Sequence, residues 1–327
     1  MDVRTKAQNN QTHKSTSDKQ FIDAWEKYRS ATVLARELGI SLPATHRRRR
    51  ILENRYKITL ESNDRSVKYV PPQISQKVRF PLTIENGTII VGSDAHYWPG
   101  LISTAHRGLV HLTHQLKPTA VIQNGDVIDG ATISRWPRIG WEHRPTVKQE
   151  LEVATERLSE IEKASLNSKL FWTFGNHDAR FELNLAKLIP EYEGVAGFSL
   201  KDHFPRWQPC MSVMVNDSCI IKHRQANGIH AVYNNTLKGG ISMVTGHLHS
   251  LKVTPWTDYN GDRYGVDSGT LADVWGPQFE AYMEDGARSW RSGFVVLTFK
   301  DGRLMPPDLA HVINEGQLWF RGEVIEV

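Results

Sequence analysis

The chain has 327 residues, of which 39% are hydrophobic, so it is long enough to bury a large core and to form more than one domain. Its two cysteines exclude a disulfide framework and a cysteine-based zinc site. The absence of a long apolar run or a signal-peptide core predicts a reduced, cytoplasmic protein without membrane contact. Residues 1–82 carry 17 Lys and Arg against 8 Asp and Glu, whereas residues 83–327 have a net charge of −5. This asymmetry predicts a basic part that faces nucleic acid, joined to an acidic body.

The first 60 residues predict a disordered tail followed by three helices. Residues 1–17 are polar and predict the tail, and Asp18 is expected to cap a first helix with apolar residues at helical spacing. A second helix is predicted over 32–38. Gly39 is placed where a helix end favours positive φ, and Pro43 is suited to the first turn of a third helix that runs to about residue 56.

Residues 31–50 resemble the helix-turn-helix of DNA-binding proteins, in which the third helix enters the major groove, and we therefore predict a helix-turn-helix domain over residues 18–60. The resemblance implies that Leu42, Ala44, Thr45 and His46 face bases, whereas the arginines contact mostly phosphates. The predicted DNA contacts of the third helix are Thr45, His46, Arg47, Arg48 and Arg50. The alternative is a small helical bundle with a solvated basic face that docks a protein. The turn together with the charge of the third helix favours DNA as the partner.

Residues 61–82 predict a linker, because they contain three prolines and little periodicity. Strands then alternate with helices over 83–327. Five short apolar runs, each followed directly by metal-binding residue types, predict strands over 88–92, 120–123, 170–174, 219–222 and 241–245. Helices are predicted over 106–115 and 147–165. Ligands collect outside the carboxyl ends of strands in α/β sheets, so we expect these five segments to converge on one site.

Carboxylate, imidazole and amide side chains occupy these strand ends. They are Asp94 and His96, Asp126 and Asp129 of a Gly-Asp-x-x-Asp segment, Asn176, His177 and Asp178 of a Gly-Asn-His-Asp segment, a lone His223, and His247 and His249 of a Gly-His-x-His segment. Together they offer enough ligands for two adjacent divalent metals, which form a clamp for in-line displacement, usually at phosphorus.

These five segments resemble the calcineurin-like metallophosphoesterase superfamily over about residues 84–300. The resemblance implies an α/β fold, a four-layer α-β-β-α sandwich, preceded here by the small all-α helix-turn-helix domain. It also implies one metal held by Asp94, His96, Asp126 and His249, and a second held by Asp126, Asn176, His223 and His247, with Asp126 bridging them. Mixed nitrogen and oxygen ligands suit Mn, Fe or Zn better than Ca, and Mn is our first choice.

The same resemblance implies the chemistry. A metal-bridging hydroxide attacks phosphorus, His177 acts as acid to the leaving group, and Asp129 orients the His177 imidazole. We expect Asp178 to cap the helix that follows it.

Three positions depart from the Ser/Thr protein phosphatase branch of this superfamily. Tyr97 replaces the glycine after the first histidine, Gly130 replaces an arginine that holds the substrate phosphate, and Asp178 replaces a glutamate. These differences point away from that branch. The favoured hypothesis is a DNA phosphodiesterase, that is, a nuclease, which the N-terminal helix-turn-helix brings to its substrate. The alternatives are a phosphomonoesterase or small-molecule phosphodiesterase, for example on cyclic nucleotides, with a basic docking module, and a non-catalytic DNA-binding regulator.

Four aromatic residues near the C-terminal end of the resemblance leave two interpretations open. Trp275, Phe279, Tyr282 and Trp290 are typical of a core or rim, and they are also suited to line a groove for bases.

Overall fold

The computed structural model describes residues 16–62, 78–136, 140, 142–283 and 289–327. Residues 1–15 of the predicted tail, and 63–77 of the predicted linker, lie outside this part of the chain. The chain divides into two compact units, residues 1–73 and 74–327. Among the described residues, no helix combines the length and apolar character needed to span a membrane.

The first unit contains the three predicted helices, Asp18–Tyr28 (α1), Ala31–Leu38 (α2) and Leu42–Tyr56 (α3). Gly39 ends α2 with φ of +63°, as predicted. The prediction that Asp18 caps α1 is wrong, because the Ser17 hydroxyl accepts the Gln20 amide and the Gln20 side chain returns to the Ser17 amide. These two reciprocal hydrogen bonds form a capping box, and they satisfy two backbone amides that lack partners at the start of a helix.

The second unit contains helices and strands in alternation, as the sequence predicts. Its helices are Thr104–Leu116 (α4), Val147–Ala164 (α5), Asp178–Leu188 (α6), Leu200–His203 (α7), Ala231–Gly239 (α8) and Pro277–Met283 (α9). Its strands are Arg79–Leu82 (β1), Gly87–Gly92 (β2), Ala120–Gln123 (β3), Lys169–Thr173 (β4), Gln208–Cys210 (β5), Ser212–Val215 (β6), Cys219–Ile221 (β7), Ser242–Thr245 (β8), Lys252–Asp258 (β9), Gly261–Asp267 (β10), Gly293–Lys300 (β11), Arg303–Leu304 (β12), Asp308–Asn314 (β13), Gln317–Phe320 (β14) and Glu323–Glu326 (β15).

The predicted linker over 61–82 extends too far, because its last four residues form β1 and pair in parallel with β6. Pro81 suggests a loop in the sequence. In the structure β1 is an edge strand, where a missing amide leaves no partner unsatisfied. The sheet unit therefore begins before residue 83.

Two mixed sheets pack face to face. One has the order β1-β6-β7-β8-β10-β9, and the other has the order β15-β14-β13-β11-β2-β3-β4-β5, with β12 on β11. Helix α4 packs on the larger sheet and against α5, and α8 packs on the smaller sheet. This arrangement is the predicted four-layer α-β-β-α sandwich, and the N-terminal helices precede it.

Alternation along the strands fills both interior layers. Ile89 and Val91 of β2 lie in the core between the two sheets, whereas Ile90 lies in the core under the helices. Strands β2, β3 and β4 are parallel neighbours, and β7 and β8 form a second parallel pair. Because parallel strands end at the same edge, the loops that follow them are brought together.

Candidate active site

The loops that follow the parallel strands are held in unusual backbone conformations. Five of the predicted ligands adopt positive φ, which favours glycine: Asp94 at +51°, His96 at +39°, Asp126 at +53°, His247 at +70° and His249 at +55°. Each such residue costs about 1–3 kcal/mol. The loops after β2 and β3 resist relaxation because the amides of Asp94 and His96 donate to the Gly125 and Asp126 carbonyls at 2.9 and 3.0 Å. The fold therefore maintains strain where the ligand side chains must point inward.

Two glycines allow these loops to approach each other closely. A Cβ at Gly175 would overlap the Asp126 carboxylate, and a Cβ at Gly246 would overlap the side chains of Ser93 and Asp94. In both cases the Cβ would collide with a predicted ligand or with its neighbour Ser93. The site therefore requires glycine at both positions, in addition to the requirements of the turns.

The first ligand cluster contains Asp94, His96 and His249, and all three are buried. His249 Nε2 lies 3.0 Å from Asp94 Oδ1. His96 Nε2 and His249 Nδ1 are buried without a hydrogen-bond partner. Burial would raise the pKa of Asp94, but the nearby His249 and His223 outweigh it and lower that pKa to about 2. The cluster therefore presents an ionised carboxylate and two unpaired imidazole nitrogens.

The second ligand cluster contains Asp126, His223 and His247. His223 Nδ1 donates to the Asn124 carbonyl at 2.8 Å, because a carbonyl oxygen can only accept. Its Nε2 then faces Asp126 Oδ2 at 3.2 Å and Asn176 Oδ1 at 3.3 Å. Burial opposes a charge on His223, but the Asp126 and Asp94 carboxylates outweigh it and raise the pKa of His223 to about 10. The same concentration of negative charge would attract a cation.

A third cluster contains His96, Asp129 and His177. Asp129 Oδ1 lies 2.9 Å from His96 Nδ1 and 3.1 Å from His177 Nδ1. Burial would raise the pKa of Asp129, but hydrogen bonds from His177 and His96 hold it well below its usual range. Asp129 thus fixes two imidazoles, whereas the sequence assigned it to His177 alone. With Nδ1 of His96 directed at a carboxylate, its unpaired Nε2 has the orientation of a metal ligand.

His177 is fixed at both ring nitrogens. Its Nδ1 also donates to the Asp129 carbonyl at 2.8 Å, and Nη2 of Arg180 lies 3.1 Å from its Nε2. Arg180 Nη1 donates to the same Asp129 carbonyl at 2.8 Å. Burial would lower the pKa of His177, but the Asp126 and Asp129 carboxylates outweigh it and raise that pKa. Sequence analysis missed Arg180, although its position one helical turn after His177 was a usable signal.

Asp178 is a support for the loop after β3 and not the predicted helix cap. His177 is the N-cap of α6, without a side-chain cap, and Asp178 is the first helical residue. The buried Asp178 carboxylate accepts the backbone amides of Asp126 and Val127, each at 2.9 Å, and the Trp172 indole N–H at 3.0 Å. Its role is therefore to fix the loop that carries Asp126.

Glu150 supports the next turn of that loop and was not identified from the sequence. Its buried carboxylate accepts the amides of Gly130 at 2.5 Å and Ala131 at 2.9 Å. Burial raises the pKa of Glu150 from 4.5 to about 7, although these hydrogen bonds oppose the rise.

The raised pKa of Glu150 predicts that the free energy of unfolding depends on pH, and that Glu150→Gln removes this part of the pH dependence. The pKa of Glu150 is higher in the folded than in the unfolded protein. Protonated Glu150 therefore contributes fully to the free energy of unfolding below pH 4.5, and this contribution is lost as the pH rises to about 7. In chemical denaturation between pH 4 and 8, wild type should lose about 3 kcal/mol relative to the glutamine variant. Parallel pH profiles for the two proteins would contradict the buried, protonated state of Glu150.

The four aromatic residues near the C-terminal end separate into different roles. Phe279 and Trp290 pack against the ligands, with ring centroids 5.2 Å from His96 and 4.6 Å from His249 respectively. They form an apolar wall behind the imidazoles. Trp275 is 75% exposed, and the Tyr282 side chain lies outside the described residues.

The structure thus brings all nine predicted site residues of the sheet unit to one edge. The buried, unpaired nitrogens of His96 and His249 and the nitrogen and oxygen donor set fit divalent transition metals. No thiolate takes part in the described clusters, because Cys210 and Cys219 are buried in β5 and β7.

The predicted DNA contacts of α3 lie on different sides of that helix. His46, Arg47 and Arg50 are exposed and form what we call the basic face. The prediction for Thr45 is wrong, because Thr45 is fully buried and its hydroxyl donates to the Ser41 carbonyl at 3.1 Å. Arg48 is engaged within the first unit, since its guanidinium lies 5.1 Å over the Phe21 ring and contacts Asp18 at 3.5 Å.

The Calcineurin-like phosphoesterase family model matches residues 87–283, from the start of β2 to the end of α9. The Gene 54 protein of Mycobacterium phage L5 is 24% identical over 231 residues, which cover 64% of this chain and 88% of that protein. Among solved structures, Vps29 from Entamoeba histolytica complexed with Zn²⁺ matches with a TM-score of 0.38 and 10% identity, over 73% of this chain and 98% of its own. An archaeal phosphodiesterase matches with a TM-score of 0.35 and 15% identity, over 68% of this chain and 99% of its own.

Proposed function

Because this chain belongs to the calcineurin-like phosphoesterase family and is a metal-dependent phosphoesterase, we propose that it is a phosphodiesterase that cleaves DNA. The chemistry is carried by the convergence of three ligand clusters at one sheet edge. The choice of DNA is supported by the basic face on α3, whose exposed side chains are free of the unit's core.

We propose two divalent metals, Mn in the first instance and Fe or Zn as alternatives, held by the two ligand clusters. Asp94, His96 and His249 would hold one, and His223, His247 and Asn176 would hold the other, with Asp126 shared between them. When bound, the metals would activate water near neutral pH and neutralise charge on the phosphate.

The other site residues then act on the phosphoester itself. His177 Nδ1 donates to the Asp129 carbonyl, so its Nε2 is the nitrogen that faces the reacting group. Arg180 donates to this Nε2, and the raised pKa of His177 favours a proton on Nε2 once that N–H has turned away. When a phosphate is bound, Arg180 can redirect this hydrogen bond to a phosphate oxygen, which leaves His177 Nε2 free to carry the proton for the departing oxygen. The aliphatic part of Arg180 also packs beside Gly130, since its Cδ lies 3.3 Å from a Cβ built there, so Gly130 leaves room for the Arg180 side chain next to His177.

A second candidate is a phosphodiesterase that acts on a small nucleotide. It is favoured by a cavity of about 510 Å³ beside His96, whose charged lining residues are of mixed sign, with Arg291 as well as Asp273 and Glu315. A groove for a long polyanion would require an excess of positive charge.

The direct test is to incubate the Mn-loaded full chain with supercoiled plasmid, single-stranded DNA, a cyclic nucleotide, bis-p-nitrophenyl phosphate and the monoester p-nitrophenyl phosphate. We expect cleavage of DNA and of the chromogenic diester, and little turnover of the monoester. Turnover of the cyclic nucleotide without DNA cleavage would select the second candidate, and preference for the monoester would reject both.

The basic face predicts a separable DNA contribution. Arg47→Ala/Arg50→Ala should weaken DNA binding and reduce the salt slope of log Kd by up to about 2, because each phosphate contact contributes about 0.9. Hydrolysis of bis-p-nitrophenyl phosphate should remain unchanged. Fluorescence anisotropy at several salt concentrations measures both quantities.

The matched control is Lys19→Ala/Lys27→Ala, which removes two positive charges from exposed positions on α1. If both double variants change the DNA affinity and the salt slope of log Kd equally, the first unit contributes to DNA binding only through its net charge. An unchanged slope in the arginine variant would instead favour the protein-docking alternative.

A further inference from the structure

A cavity of about 510 Å³ adjoins the ligand clusters, because His96 is part of its wall. Its other walls are the loop after β2 with the start of α4, the segment from β10 into α9, residues 290–292, and the C-terminal half of β13. The volume falls within the range of about 300–1,000 Å³ that small-molecule sites occupy. A chamber of ligand size therefore adjoins the first ligand cluster on the side of His96.

Aromatic and polar groups line this cavity together. Trp98 is half-buried in one wall, and Trp275 stands 75% exposed in another. Exposure of a large indole to that extent leaves its ring available to a ligand. Gln278 also lines the cavity, and its Oε1 is buried without a hydrogen-bond partner. Such an acceptor requires an N–H donor from a ligand or water.

A flat ring with N–H groups on its edge satisfies both features, and a nucleobase is such a ring. The charges of the lining are mixed, so the cavity is suited to one neutral base and its sugar and not to a run of phosphates. Because His96 connects the cavity to the ligand clusters, the base would belong to the nucleotide that carries the scissile phosphate.

We propose that this cavity is a nucleoside subsite, in which Trp275 stacks on the base and Gln278 Oε1 accepts a base N–H. The inference rests on the proposed phosphodiester chemistry and specifies its substrate, since it predicts preference for esters that carry a nucleoside beside the reacting phosphorus. Trp290 also lines the cavity, but its ring packs on His249 and Phe279 at 4.6 and 5.1 Å between centroids, so Trp275 is the exposed ring that we assign to the base.

The test compares two diesters with the same p-nitrophenolate leaving group, thymidine 5′-(p-nitrophenyl phosphate) and methyl p-nitrophenyl phosphate. With Mn-loaded protein, Trp275→Ala should raise the KM of the thymidine ester roughly 5- to 150-fold, the range that loss of one base stack produces. The methyl ester should keep its kcat and KM. Trp275→Phe should stay close to wild type on both, and Trp136→Ala, which removes an exposed tryptophan outside the cavity, is the matched control.

A binding measurement separates failure of the subsite from failure of the proposed function. In titration calorimetry, wild type should bind thymidine 5′-monophosphate more tightly than methyl phosphate, and Trp275→Ala should abolish the difference. If wild type hydrolyses neither diester, the proposed function fails while this comparison still decides the subsite. Equal affinity for the two monoesters in wild type, or an unchanged preference in Trp275→Ala, would overturn the subsite.

Discussion

Asp126→Ala should lose both metals, whereas His247→Asn should lose only one. The Asp126 carboxylate lies 3.2 Å from His223 in the second cluster, and it is close enough to Asp94 and His96 of the first cluster for its negative charge to oppose the lowering of both their pKa values. A shared carboxylate also offsets repulsion between two dications roughly 3.5–4 Å apart. Removing it takes a ligand from each site at once.

Elemental analysis after dialysis against Mn should therefore give up to two ions per chain in wild type, about one in His247→Asn and almost none in Asp126→Ala. Diester hydrolysis should fall to background in Asp126→Ala, because no activated water remains. Asp262→Ala, an exposed change at the start of β10, should retain both ions and full turnover.

The Asp126 side chain also holds the loop that carries His177, so thermal unfolding must accompany the metal analysis. Asp126 Oδ1 accepts the His177 amide at 2.8 Å, so its loss could loosen the loop as well as the metals. An Asp126→Ala protein that melts cooperatively and lacks metal supports the bridging role. Wild-type metal content in the folded variant would reject Asp126 as a ligand.

The strand ends of the site were predictable because their determinants are local. Each ligand follows a short apolar run, and β3 has the predicted bounds of 120–123. Parallel pairing then brings the ends together without further information from the sequence. The same rule, that ligands follow strand ends, identified His223, a lone histidine that belongs to no sequence motif.

The supporting groups were not predictable, because their partners are remote in sequence. Asp178 accepts amides from the loop after β3, about fifty residues earlier, and Glu150 reaches back about twenty residues to the same region. In sequence, Asp178 at a helix start has the appearance of a cap. Because α6 packs against the loop after β3, the Asp178 carboxylate instead accepts the backbone amides of that loop.

The orientation of α3 could have been deduced from its own sequence. Thr45 precedes Leu52 by seven residues, which is two helical turns, so both lie on one face. Leu52 is a core residue of the first unit, and Thr45 is buried with it. The error came from treating a polar side chain beside the arginines as exposed.

His177→Asn should retain metal and lose turnover, because His177 lies in the third cluster and donates its Nδ1 proton to Asp129. A general acid contributes typically 10²–10⁴-fold to rate, and it contributes most when the leaving group is a poor one. We therefore expect a loss in this range for DNA or for an alkyl diester. The loss should be much smaller for a p-nitrophenyl ester, whose leaving oxygen needs little protonation.

Single-turnover rates on the two classes of substrate, together with metal analysis, measure this difference. His114→Asn, an exposed change on α4, is the matched control and should behave as wild type. If His177→Asn loses metal, His177 is a ligand and the acid must be sought elsewhere. If both leaving groups slow equally, His177 positions the phosphate, as Arg180 is placed to do, and does not transfer a proton to the departing oxygen.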